Sequence, residues 1–104
     1  MRIEILYIGG CPHFQSTVDA VKAILRENDL TVPVIETKVE GDDLAVSERF
    51  IGSPTVRING HDIEPAARQR TGYGIMCRTY SGSGGVPSES LIRNAITEAL
   101  DRSQ

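Results

Sequence analysis

The apolar run Ile3-Glu4-Ile5-Leu6-Tyr7-Ile8 stops at Gly9-Gly10, and beyond it the hydrophobic period changes. Residues 2–8 are rich in β-branched and large side chains and read as a strand. Phe14, Val18, Val21 and Leu25 then recur at i, i+4, i+7 and i+11, one apolar stripe of a helix. Asp19, Lys22, Arg26 and Glu27 take the opposite side. Pro12 suits the first helical position, where a missing N–H costs nothing. Asn28-Asp29 is a stop, so the helix is expected over residues 12–28. Leu30 to Val39 is rich in Val, Ile and Thr and reads as a second strand, with Pro33 near its start. Strand, helix and strand in this order predict a right-handed βαβ unit with the two strands parallel.

The rest of the chain extends that unit. Gly41-Asp42-Asp43 opens a polar stretch, and Leu44, Ala45, Val46 and Phe50 outline a short helix with Asp42 or Asp43 as its cap. Asn59-Gly60 lies between Val56-Arg57-Ile58 and His61-Asp62-Ile63, a strong hairpin signal, so the sheet is expected to end in an antiparallel pair. Leu91, Ile92, Ala95, Ile96, Ala99 and Leu100 form a last helical stripe, with Ser88 as cap and Pro87 before it. Between them, residues 65–87 form a connection long enough to be functional or to hide an element. A short strand is expected at about 74–80, followed by a flexible tip at Ser81-Gly82-Ser83-Gly84-Gly85. The whole reads as one βαβαββα domain with a mixed central sheet and helices on both faces.

Composition narrows the function classes. The chain has 104 residues, enough for one domain with a modest core. Its 11 Lys+Arg against 14 Asp+Glu give a net charge of -3, which offers no reason to expect a nucleic-acid partner. No apolar run approaches the roughly 20 residues that span a bilayer. Glu4 interrupts the first apolar run and no small-residue cleavage site follows, so a cytoplasmic protein away from the membrane is expected. Two cysteines in a reducing compartment argue for redox or metal chemistry over a disulfide scaffold.

Cys11 is the first candidate. It sits between a strand and a helix, followed by Pro12-His13. Unpaired N–H groups and the helix dipole favour thiolate over thiol at such a place. The alternative is a small buried hydrophobe at a strand end. Phe14 stands where a dithiol oxidoreductase carries its second cysteine, so Cys-x-x-Cys is absent. Three routes remain open: an external thiol, pairing with Cys77, or no exchange at all. Cys77 either resolves a Cys11 sulfenate or mixed disulfide, or is a half-buried strand residue. His13 either relays a proton beside the thiolate or points into solvent. His61 reads as a surface residue. Arg68, Arg70 and Arg78 either attract an anionic thiol or carboxylate, or belong to a solvated loop.

Cys11-Pro12-His13 after the first strand and Gly52-Ser53-Pro54-Thr55 before the third resemble thioredoxin-superfamily proteins. The run Gly-Cys-Pro, Gly-Ser-Pro-Thr, Asn-Gly-His-Asp, Tyr-Gly-Ile-Met-Cys-Arg-Thr-Tyr and Gly-Val-Pro-Ser resembles, more narrowly, the small bacterial thioredoxin-like DF family of (seleno)proteins, some described as relatives of alkylmercury lyase. The resemblance implies a thioredoxin-like fold and a redox nucleophile. It implies a cis Pro54 facing Cys11. It also implies a free Ser53 backbone, ready to pair with an extended substrate.

Three functions follow as expectations. The first is a thiol–disulfide or peroxide-type oxidoreductase with no cofactor, acting on a low-molecular-weight or protein thiol or disulfide. Cys11 attacks, His13 assists, Ser53, Pro54, Thr55 and Arg78 position the partner, and Cys77 or an external thiol completes the cycle. The second is a soft-metal or organomercurial carrier using Cys11 and Cys77. Zinc-type ligand spacing is absent. The third is a non-catalytic protein-binding scaffold.

Overall fold

The computed structural model describes residues 1–80 and 82–102. Its elements run β1 (Ile3–Tyr7), α1 (Phe14–Glu27), β2 (Val34–Lys38), α2 (Asp42–Ser47), β3 (Thr55–Ile58), β4 (His61–Asp62), a 3-10 turn at Pro65–Ala67, and α3 (Glu89–Arg102). The four strands form one mixed sheet in the order β2-β1-β3-β4. β1 pairs parallel with β2 and antiparallel with β3, so the strand that carries the chain to Cys11 lies inside the sheet.

Alternation along β1 divides the core. Ile3 and Ile5 face one side, where they meet Val18, Val21, Ile24 and Leu25 of α1 and Ile92, Ala95, Ile96 and Ala99 of α3. Their cross-strand partners Ile58 and Val56 join the same cluster. Leu6 faces the other side and packs with Val39, Ala45 and Phe50, which sets α2 on the opposite face from α1 and α3.

Most expected elements are present, with shifted ends. α1 starts at Phe14 instead of Pro12, because the Phe14 amide donates to the Cys11 carbonyl in a turn that precedes the helix. His13 is its N-cap residue, and the Thr17 amide and hydroxyl both donate to the His13 carbonyl. α1 ends where Asp29 takes a left-handed φ of 54° and the Leu30 amide returns to the Leu25 carbonyl. β2 starts only after Pro33, which has no N–H to give a ladder. Gly41, not Asp42 or Asp43, caps α2, and both carboxylates fall in its first turn, where they suit the dipole. The hairpin at Asn59-Gly60 has positive φ at both residues (53° and 83°), as a tight primed turn requires. Ser88 Oγ accepts from the Leu91 amide at the start of α3.

The expected strand at 74–80 reduces to isolated bridges, Ser53 with Cys77 and Tyr80 with Gly84. Ile75 and Met76 remain exposed, so no buried apolar face drives a longer ladder. Of the expected flexible tip, Ser81 lies outside the described residues. The described part is a hydrogen-bonded turn: the Tyr80 amide donates to the Gly84 carbonyl and the Ser83 amide to the Tyr80 carbonyl.

Candidate functional site around Ser53

The end of β1 and the start of α1 are joined by a tight loop. Gly10 takes a φ of 76°, and the Cys11 amide donates to the Ile8 carbonyl at 3.3 Å. Tyr7 and Phe14 stack across the loop with ring centroids 3.8 Å apart. The side chain that stands where a second thiol would be therefore has a packing role. Cys11 is half-buried at the rim of this loop and Cys77 is exposed, and both are free thiols. The exposed His13 lies against Gly85: a Cβ built on Gly85 would sit 2.2 Å from His13 Cδ2.

Ser53 ties these pieces together. Its Oγ accepts the Ile8 amide at 3.1 Å, three residues before Cys11. Its own amide donates to the Met76 carbonyl at 2.8 Å, and its carbonyl accepts the Arg78 amide at 3.1 Å. Cys77 is the residue opposite it in this parallel bridge. The Ser53–Pro54 peptide is cis.

The Ser53 backbone is not free for an extended substrate, contrary to the expectation from the sequence. The chain's own Met76-Cys77-Arg78 segment occupies both of its polar groups. A nearly fully buried amide and carbonyl require partners, and the long connection folds back to supply them. Gly52 permits this approach, since a Cβ there would lie 2.7 Å from the Arg78 Cβ.

Arg78 belongs to no solvated loop; it is 4% exposed. Its Nη1 donates to Asp62 Oδ2 at 2.7 Å and its Nη2 to Glu64 Oε1 at 3.1 Å. Thr55 Oγ1 accepts from Nη1 at 3.3 Å and itself donates to the Gly52 carbonyl. The guanidinium lies 4.2 Å from the Tyr80 ring centroid. Tyr80 in turn donates its hydroxyl to the Pro54 carbonyl. Burial works against the Arg78 charge, but the bond to Asp62 and the surrounding negative groups hold its pKa above the ordinary value. Burial pushes the Tyr80 phenol well above its usual range, against the opposing pull of Arg78.

The candidate residues therefore fall into two groups. Cys11, His13 and Cys77 reach the surface. Ser53, Thr55 and Arg78 are buried and bond inside the protein, apart from the Arg78 Nε, which has no hydrogen-bond partner among the described residues. Arg68 and Arg70 are exposed, and His61 lies on β4 at the surface. Asp62, Glu64 and Tyr80 escaped sequence reasoning. A period-two signal was present: Asp62 and Glu64 flank the buried Ile63, so they share the face opposite it. Among the described residues, no group of three or more His, Cys, Asp or Glu side chains is placed to hold a metal ion. No helix among them is long and apolar enough to cross a membrane. No protein-family model, curated protein or solved structure matches the chain.

Proposed function

We propose that the protein is a thioredoxin-like thiol–disulfide oxidoreductase in which Cys11 is the nucleophile and Cys77 the resolving thiol. The observation that carries this reading is Ser53: its hydroxyl accepts the Ile8 amide just after β1, on the way to Cys11, and its backbone bonds Met76 and Arg78 on either side of Cys77. In the proposed cycle the Cys11 thiolate attacks one sulfur of a disulfide substrate, forming a mixed disulfide and releasing one thiolate. The Cys77 thiolate then attacks Cys11 sulfur, releasing the second thiolate and leaving a Cys11–Cys77 disulfide. Two equivalents of an external thiol reduce that bond and become a disulfide themselves. A peroxide enters the same cycle through a Cys11 sulfenate, with water lost when Cys77 attacks.

The test is mass spectrometry under non-reducing conditions after treatment with a small disulfide. Wild type is expected to lose two hydrogens and yield a Cys11–Cys77 linked peptide. The Cys77→Ser variant should stop at the mixed disulfide on Cys11. Reaction of Cys11→Ser at the wild-type rate would sink the assignment of the nucleophile.

A further inference from the structure

We propose that the cavity between α2, the β3–β4 hairpin and residues 67–73 is a binding site for a small polyanion, a molecule bearing two or more phosphate or carboxylate groups. The cavity has a volume of about 350 Å³, and Arg49, Arg57, Arg68, Arg70 and Tyr73 line it. The four arginines come from separate places: the end of α2, β3, the segment after the 3-10 turn and the loop beyond. Their convergence is not a composition effect, because the chain as a whole carries a net charge of -3.

Their charge is only partly matched locally. Two carboxylates also line the cavity, Glu48 and Asp62. Asp62 is turned to the buried Arg78 at 2.7 Å, and Glu48 reaches Arg57 only at 3.8 Å. Arg70 stands 3.7 Å from Glu64, which Arg78 already holds at 3.1 Å. Arg68 stands 3.8 Å from Glu98, which Arg102 holds at 2.8 Å. Arg49 has no ion pair among the described residues. With Arg78 and Arg102 included, arginines outnumber the carboxylates facing them, and the three long pairs exceed hydrogen-bond length.

Two of the four are also held in place. Arg57 Nη2 donates to the carbonyls of Glu48 and Arg49, and Arg68 Nε donates to the Asp62 carbonyl at 2.8 Å. Arg49 and Arg70 are exposed and complete the set. Guanidinium groups present their N–H donors in a fork that matches carboxylate and phosphate oxygens, and converging like charges gain by taking an anion. This site is independent of the thiol chemistry proposed above.

Isothermal titration of the full chain with pyrophosphate and with citrate, at constant ionic strength, tests the proposal. Saturable binding of at least one probe is expected, and which one binds separates phosphate from carboxylate ligands. Arg49→Gln and Arg70→Gln should each weaken it by at least about tenfold, while Arg26→Gln on α1 leaves it unchanged. The Cys11→Ser, Cys77→Ser double variant should bind as wild type, so failure of the redox cycle leaves this result standing. In wild type, amide NMR shifts on titration should centre on Gly60, Arg70 and Tyr73, a readout that needs no variant to fold. Absence of saturable binding by both probes, or equal affinity in the two arginine variants and wild type, overturns the site.

Discussion

Ser53 and Cys77 are bridge partners, and a single glycine makes the pairing possible. Gly52 has a φ of 131°, and a Cβ there would come within 2.7 Å of the Arg78 Cβ. Gly52→Ala should therefore destabilise the protein by about 2–4 kcal/mol, combining backbone strain and overpacking. Urea denaturation measures the loss. Alkylation of Cys77 should also quicken as its segment detaches, and an unchanged urea midpoint would contradict the close approach.

Arg78 is the buried cation that bridges Asp62 and Glu64, so its removal takes from both buried carboxylates their closest guanidinium. Arg78→Met should cost about 3–5 kcal/mol. Arg78→Lys should restore only a small part, because a point charge cannot bridge Asp62 and Glu64 while stacking on Tyr80. Denaturation of the two variants side by side provides the comparison.

Tyr80 gives a pH signature. Its phenol is raised in the folded protein, so the native state holds a proton that the unfolded chain releases near pH 10. Stability from this group is complete below that pH and falls as pH rises above it. Thermal melts between pH 9 and 11.5 should show the decline. Tyr80→Phe should flatten it and cost about 0.5–1.5 kcal/mol at neutral pH through the lost bond to the Pro54 carbonyl.

Gly85 abuts an exposed imidazole, a soft neighbour in contrast to the backbone beside Gly52. Gly85→Ala should displace the His13 ring while changing stability by less than about 1 kcal/mol, since an exposed side chain can rotate away. The His13 ring resonances should shift in NMR spectra while the urea midpoint barely moves. A large loss of stability would mean that His13 is locked in place.

Phe14 and Tyr7 close the loop that carries Cys11. Phe14→Leu keeps the bulk but removes the stack and should cost about 0.5–1.5 kcal/mol. The exchange rate of the Cys11 amide, bonded to the Ile8 carbonyl, with deuterated solvent should rise with it.

Local periodicity was enough to read β1, α1, the Asn59-Gly60 hairpin and α3 from the chain alone. Those elements depend on neighbours within one or two turns: an apolar stripe at helical spacing, a turn that needs positive φ, a serine ahead of a helix. Cys11 was legible for the same reason, as a thiol at a strand-to-helix joint, and Phe14 showed that no Cys-x-x-Cys motif is present. What only tertiary structure decided was the use of residues 65–87. Nothing in their order says that Met76 and Arg78 bond to Ser53, that Arg78 is buried on Asp62 and Glu64, or that Arg49 and Arg70 meet across a cavity. These are contacts between distant segments, chosen because buried polar groups must find partners and because Gly52 leaves room for one chain to pass close to another.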